Sequence, residues 1–197
     1  MSKRTATIQR DTKETKIQVT LDLDGAGTVG ARTGIGFLDH MLDHFGKHGL
    51  VDLTIQAEGD LHVDDHHTAE DVGICLGQAI AKALGDKAGI RRYGFASVPM
   101  DEALASVSVD LSGRAVMVFN VRFTSDKIGT FDTQLIEEFC RALSAHAGMN
   151  LHINVPYGAN DHHVAEAVFK ALAQAFRAAK AIDPGRGGQV PSTKGSL

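Results

Sequence analysis

The sequence contains no tryptophan and only two cysteines among its 197 residues. Cys75 and Cys140 each lie within an apolar helical pattern and lack the close spacing of a zinc knuckle or a disulfide framework, which indicates packing thiols in a reducing compartment. No run of about 18 apolar residues occurs, and Met1 is followed by polar residues and a predicted strand. We therefore expect a cytoplasmic protein with no membrane partner.

A basic tract is absent as well, and the formal net charge is -4. This charge balance argues against a nucleic-acid partner, although a few placed arginines or lysines are enough to hold one phosphate group. Because 43% of the residues are hydrophobic, a chain of this length can bury a compact core.

The segment Gly25–Gly30 matches the GxGxxG string of dinucleotide-binding proteins. The strand predicted before it alternates apolar and polar residues, as half-solvated antiparallel strands do, and no helix is predicted after it. We therefore interpret the segment as a flexible loop.

Hydrophobic periodicity predicts the element order ββαβα twice along the chain. The first unit has strands at 5–10, 15–24 and 50–57 and helices at 35–48 and 69–84; the second has strands at 98–111, 115–123 and 149–155 and helices at 131–147 and 162–181. The units also align in sequence, since Glu14 matches Glu102 at a separation of 88 residues and His48 matches His146 at 98. We predict an α+β fold made by tandem duplication, with helices packed between two sheets.

The predicted domain organisation is a single domain made of two repeats at about 1–94 and 95–182. A C-terminal tail at 183–197 follows, rich in glycine and with two prolines. We expect this tail to be extended or mobile.

Two histidine-rich segments carry the chemistry, at 64–71 and again at 160–167. Residues at i and i+4 of a helix share one side, so His66 with Glu70, and His162 with Glu166, can each offer an imidazole and a carboxylate to one cation. The adjacent histidines are rotated by about 100° on a helix and can reach a second cation. With His40 and Glu138, which occupy the same helical position in the two units, the candidate metal ligands are His40, His66, His67, Glu70, Glu138, His162, His163 and Glu166.

A simpler interpretation is that these are capping and surface residues, with Asp65 and Asp161 as N-caps and the glutamates as first-turn acids. The repetition at matched positions favours metal binding instead. Imidazole and carboxylate ligands without a thiolate suit zinc, manganese, iron or nickel. His44 and His48 can equally form the polar face of their helix.

Arg92, Arg114 and Lys194, near predicted loops, are the candidate hydrogen-bond donors to a phosphate group, although each alone is typical of a solvated charge. Glu14 follows a hairpin turn, where an exposed strand acid is the ordinary interpretation. Its repeat partner Glu102 makes it a residue to test.

Several of these segments together resemble the imidazoleglycerol-phosphate dehydratase family over nearly the whole chain. The segments that carry the resemblance are 10–15, 36–42, 64–71, 99–104, 110–114, 160–166 and 191–195. The resemblance implies a dehydratase that converts imidazoleglycerol phosphate to imidazoleacetol phosphate in histidine biosynthesis. It also implies a homo-oligomer of 24 subunits whose active sites lie between subunits.

The resemblance further implies two manganese ions per active site, held by the candidate ligands above. Glu138 departs from the pattern, because some members have histidine there, but a carboxylate can replace imidazole at such a site. The catalytic residues implied are Glu14, His66 and His162, with Glu14 carrying the proton. The substrate-binding residues implied are Glu14, His40, His48, Arg92, Arg114, Ser192, Thr193 and Lys194.

Two other functions would use the same histidines. A non-catalytic metal-binding oligomer would have no need of the phosphate-binding side chains or the tail. A dinuclear metallohydrolase would activate water and release free phosphate from the same substrate.

Overall fold

The computed structural model describes residues 3–197, so the first two residues of the predicted first repeat lie outside the described part of the chain. The first half contains β1 (Thr5–Asp11), β2 (Thr15–Asp22), β3 (Val29–Arg32), α1 (Gly36–Gly49), β4 (Asp52–Gly59) and α2 (His66–Leu84). The second half contains β5 (Tyr93–Met100), β6 (Ala103–Asp110), β7 (Val116–Asn120), β8 (Lys127–Ile128), β9 (Phe131–Asp132), α3 (Gln134–Ala147), β10 (Asn150–Tyr157) and α4 (Asp161–Lys180). A short 3-10 turn, Pro184–Arg186, begins the tail.

Each half builds a four-stranded sheet with the same strand order, β1-β2-β4-β3 in the first and β5-β6-β10-β7 in the second. In both sheets the first three strands are antiparallel, and the last strand runs parallel to its neighbour, β3 to β4 and β7 to β10. The equal topology confirms the predicted duplication of one α+β unit.

Strands lie in both predicted ranges, 98–111 and 115–123, as β6 and β7, but the predicted pairing of these two strands is wrong. The second hairpin is instead β5 with β6, which pair from Tyr93 opposite Asp110 to Met100 opposite Ala103, and β7 lies at the far edge beside β10. Gly94 and Pro99 weaken the strand pattern of β5. The proline is tolerated because β5 is an edge strand.

The glycine-rich segment precedes a strand that the sequence did not predict. Its last two residues, Val29 and Gly30, belong to β3 rather than to a loop, because this short strand pairs with β4. The preceding turn is anchored, since the amides of Ala26 and Thr28 donate to Asp52 Oδ1 at 2.9 and 2.8 Å. No dinucleotide-type helix begins at Gly30, as expected.

The helices lie between the two sheets and pack across the halves. α2 covers β1 and β2 and contacts α3, whereas α4 covers β5 and β6 and contacts α1. Buried rings connect the helices, with Phe45 of α1 5.6 Å from Phe176 of α4 and Phe139 of α3 5.5 Å from Phe169 of α4. This packing confirms the predicted layer order and brings α1 beside the second histidine segment. Within residues 3–197, no helix has the length and apolar character needed to cross a bilayer.

Gly94→Ala should destabilise the fold. A Cβ at this position would overlap the carbonyl oxygen of Ala175 in α4 and lie 2.9 Å from the amide of Ala179. Overpacking of this kind costs roughly 1–3 kcal/mol, which lowers the melting temperature by about 2–4 °C per kcal/mol in a chain of this size. Thermal unfolding of the full chain measures the effect.

The matched control is Gly30→Ala, also in a strand, where a Cβ meets no atom within 4 Å. This variant should melt close to the wild-type temperature. Equal melting temperatures for the two variants would contradict the packing argument.

Candidate metal and substrate site

The second histidine segment forms the N-cap and the first two turns of α4. Asn160 is the N-cap, and its side chain accepts a hydrogen bond from the amide of His162 at 2.9 Å. Asp64 does the same for His66 at 2.8 Å in front of α2. Asp65 is the N-cap residue of α2, as the simpler interpretation expected, but its side chain makes no capping hydrogen bond, and the acceptor there is Asp64. At α4 the N-cap is Asn160 rather than Asp161, which is the first helical residue.

Two imidazoles and a carboxylate converge where α1 packs on α4. His40 Nε2 and His162 Nε2 each lie 3.0 Å from Glu166 Oε1. One ligand atom from each of these three residues lies within 4.8 Å of the other two. This donor set suits a divalent cation such as manganese, iron or zinc.

Glu166 is 6% exposed and is the centre of this group. Its Oε2 accepts a hydrogen bond from Lys170 Nζ at 2.6 Å and lies 3.4 Å from His44 Nε2. Burial acts to raise the pKa of the Glu166 carboxyl, but hydrogen bonds from Lys170, His40 and His162 outweigh it, so its pKa is lowered. The carboxylate is therefore ionised, as a metal ligand must be.

His44 and His48 continue the histidine stripe of α1 behind this group. Their rings are stacked, with centroids 5.7 Å apart. Burial lowers the pKa of both imidazoles, and His44 Nε2 is buried without a hydrogen-bond partner of good geometry. A neutral imidazole with a free nitrogen beside a carboxylate is what a cation site requires. Next to it, a cavity of about 530 Å³ is lined by His40, Asp43, His44 and Lys47.

The first histidine segment forms a separate group at the start of α2. His66 and Glu70 lie one turn apart, and within residues 3–197 neither side chain makes a hydrogen bond or an ion pair. His67 points elsewhere, with Nδ1 3.0 Å from Asp60 Oδ2 and Nε2 4.0 Å from Glu14 Oε1. The hydrogen bond with Asp60 raises the pKa of His67.

The second half repeats this arrangement with different acids. His163 Nδ1 lies 2.7 Å from Glu102 Oε2, and its Nε2 lies 3.6 Å from Asp101. The hydrogen bond with His163 lowers the pKa of Glu102 to about 2. In both segments the adjacent histidine rings are almost perpendicular, at 85°, so each pair faces two directions.

Glu138 lies apart from the ligand group around Glu166. Its side chain is 37% exposed, and its nearest charged partner is Arg141 Nε at 3.8 Å. A role for Glu138 at a metal stays a prediction.

Three of the predicted substrate-binding residues line one cavity. Arg92, Ser192 and Thr193 border a space of about 650 Å³ beneath the tail. The guanidinium of Arg92 donates to both oxygens of Asp110, at 2.7 and 3.1 Å, and to the carbonyl of Pro191 at 2.8 Å. Arg114 and Lys194 do not line this cavity.

The tail is docked rather than extended. The amide of Gly89 donates to the carbonyl of Gln189 at 2.9 Å, and the amide of Asp183 donates to the carbonyl of Gly89 at 2.8 Å. Together with the bond from Arg92 to Pro191, these contacts hold Ser192 and Thr193 at the cavity.

Side chains that contact the site and that sequence reasoning missed include Lys170 and Asp60. Lys170 follows Glu166 by four residues, and this i, i+4 spacing of opposite charges was a usable signal. Asp60 follows β4, and no local pattern connects it with His67, so only the tertiary structure reveals that contact.

A duplicated α+β fold with paired His-x3-Glu segments at the starts of its two longest helices has the donor set of a metalloenzyme. A family model described as imidazoleglycerol-phosphate dehydratase matches residues 33–176. The chain is 59% identical to the imidazoleglycerol-phosphate dehydratase of Rhodopseudomonas palustris strain TIE-1, over 98% of each chain, and 58% identical to that of Methylorubrum populi, over 98% of this chain and 100% of the relative.

Solved structures agree with these matches. The imidazoleglycerol-phosphate dehydratase of Staphylococcus aureus N315 superposes with a TM-score of 0.83 at 40% identity, covering 91% of this chain and 99% of that one. The Pyrococcus furiosus structure, in complex with (S)-C348, gives 0.81 at 37% identity, covering 96% and 100%. The chain belongs to the imidazoleglycerol-phosphate dehydratase family.

Proposed function

We propose that this chain removes water from imidazoleglycerol phosphate to give imidazoleacetol phosphate, in histidine biosynthesis, with two manganese ions per active site. The observation that carries the proposal is the convergence of His40, His162 and Glu166 within 4.8 Å in a chain of this family. An imidazole substrate and its diol oxygens are natural ligands for a cation held by such a group.

The reaction requires the C2 proton to leave and the C3 hydroxyl to depart as water. As the C3–O bond breaks, the electron pair of the C2–H bond becomes the C2–C3 double bond of an enol, which takes a proton at C3 while its C2 hydroxyl loses one, to give the oxo product. When bound, the metal ions supply Lewis-acid stabilisation of negative charge on the imidazole ring and the oxygens. The side chains of the protein keep the carboxylate ligand ionised and the imidazole ligands neutral. They also orient the substrate and carry the protons.

Glu14 is the proposed proton carrier. Its side chain is 56% exposed and approaches His67 Nε2 only at 4.0 Å, so its carboxylate is available to a substrate. His66, at the start of α2, and His162, at the start of α4, are the two histidines proposed to take part in catalysis.

The phosphate is proposed to enter the cavity beneath the tail. Arg92, whose guanidinium is fixed by Asp110, lines this space together with Ser192 and Thr193. Lys194, in the tail, and Arg114, between β6 and β7, belong to the same proposed set.

A large homo-oligomer in the cytoplasm completes the proposal. Within residues 3–197, His66 and Glu70 have no third ligand beside them, and a second copy of the chain would supply it. Tyr93 and Phe95 are 57% and 65% exposed on the outer face of the second sheet. An assembly of 24 copies would cover such an apolar face.

The proposed activity predicts a specific product and a metal requirement. Purified full-length chain should convert imidazoleglycerol phosphate to the oxo phosphate, lose this activity when stripped with a chelator, and regain it with Mn²⁺ because the ligands are oxygen and imidazole donors. Coupled detection of the oxo product and of inorganic phosphate measures both outcomes. Release of inorganic phosphate would indicate a hydrolase instead, and metal binding with neither product would indicate a storage protein.

A further inference from the structure

We propose that Asp60 is a positioning residue: it holds Nδ1 of His67, so that Nε2 of that ring is presented to a cation, while in the second half Glu102 does the same for His163. This inference rests on the proposed metal-dependent function. It assigns different acids to equivalent histidines and thereby explains why Glu14 is free for chemistry.

The contacts in the first half are specific to one ring nitrogen. His67 Nδ1 lies 3.2 and 3.0 Å from the two oxygens of Asp60, whose side chain is 17% exposed. The backbone of Asp60 is fixed independently, since its amide donates to the carbonyl of Glu14 at 3.1 Å. The carboxylate is therefore held by the strand end, and the ring is held by the carboxylate.

The second half cannot use the same device. Offset by 98 residues, as for the strands β4 and β10, the residue equivalent to Asp60 is Gly158. A Cβ at Gly158 would lie 2.6 Å from Val164 Cγ2 and 3.0 Å from Ala103 Cβ, so this position has no space for a side chain. Glu102 replaces the missing acid, with Oε2 2.7 Å from His163 Nδ1.

As a result, the two repeat-related glutamates, Glu14 and Glu102, have different contacts. Glu102 is occupied by His163 and also accepts from the amides of Ala159 and Asn160, at 3.2 and 2.7 Å. Glu14, its equivalent, makes no side-chain hydrogen bond within residues 3–197, because Asp60 already occupies Nδ1 of His67. The extra acid in the first half thus leaves one glutamate unoccupied.

The chemistry follows from the two nitrogens of imidazole. A carboxylate that accepts a hydrogen bond from Nδ1–H fixes the tautomer and the ring orientation, which leaves the lone pair of Nε2 directed at the metal. Loss of such an outer partner costs about 10–100-fold in metal affinity. Asp60 is the cleaner residue to test, because it contacts only the ring through its side chain.

The test measures Mn²⁺ binding to metal-stripped full-length protein by isothermal titration, with bound metal counted by mass spectrometry. Asp60→Ala should weaken one class of sites about 10–100-fold, and Asp60→Asn, which keeps an acceptor oxygen, should recover part of the loss. Glu58→Gln is the matched control, because this exposed acid on β4 contacts no histidine, and it should bind Mn²⁺ as the wild type does.

Melting of the metal-free proteins separates positioning from folding, since a positioning role predicts similar unfolding temperatures for all four chains. Wild-type affinity in Asp60→Ala would overturn the positioning role, as would equal losses in Asp60→Ala and Asp60→Asn. Absence of Mn²⁺ binding in the wild type would instead overturn the proposed function, so the two failures are distinguishable.

Discussion

Glu166→Gln should remove one metal from each site and reduce turnover by more than the ~10–100-fold that follows loss of an outer partner. Glu166 lies 3.0 Å from the imidazoles of His40 and His162 and is the only carboxylate among these three residues. The amide of glutamine carries no negative charge, and its NH2 group is a hydrogen-bond donor that cannot bind a cation. Metal content and the rate of oxo-product formation, measured on the same preparation, give the result.

The control for this variant is Glu137→Gln on α3. Glu137 is 41% exposed and pairs with Arg141 on the helix surface, and such exposed pairs contribute only about 0–1 kcal/mol. The Glu137→Gln variant should keep the wild-type metal content and the wild-type rate of oxo-product formation. Wild-type metal content in Glu166→Gln would remove Glu166 from the ligand set.

Glu14→Gln should keep metal content and assembly while turnover falls at least ~10²-fold, the scale of general acid–base catalysis. The reason is that its carboxylate contacts His67 only distantly, at 4.0 Å, so the loss of its charge leaves the ligands in place. Steady-state kinetics with imidazoleglycerol phosphate and metal analysis together measure the two effects. Wild-type turnover would exclude Glu14 from the chemistry.

Glu102→Gln provides the informative comparison, because the same change is made at the repeat-equivalent position. Glu102 is hydrogen-bonded to His163 at 2.7 Å, so loss of its carboxylate should weaken Mn²⁺ binding. Glu14→Gln, in contrast, should lower turnover at unchanged metal content. If the two variants gave the same profile, the division of roles between the glutamates would be wrong.

The buried helices and the duplication could be predicted because their signals are local. A 3.6-residue period requires only neighbours along the chain, and α1, α2, α3 and α4 begin and end within about three residues of the predicted bounds. The His-x3-Glu spacing places its two side chains on one helix face whatever surrounds the helix. The family resemblance, confirmed by the matches, rests on the same segments.

Two of the edge strands, β3 and β5, could not be predicted in this way. β3 has only four residues, and β5 contains Gly94 and Pro99, so the residue types of both strands lack a clear apolar–polar alternation even though their residues alternate in burial. Both exist because a neighbouring strand offers free backbone groups. Their order in the sheet is a property of the assembled half.

The sequence by itself determined the duplicated unit, the helices and which residue types could bind a cation, because these depend on spacing along one chain. Only the tertiary structure decided which of them meet. His40 reaches Glu166 because α1 of one half packs on α4 of the other, and Asp60 reaches His67 because β4 ends beside the start of α2. Contacts between distant segments are set by packing, and no local pattern records them.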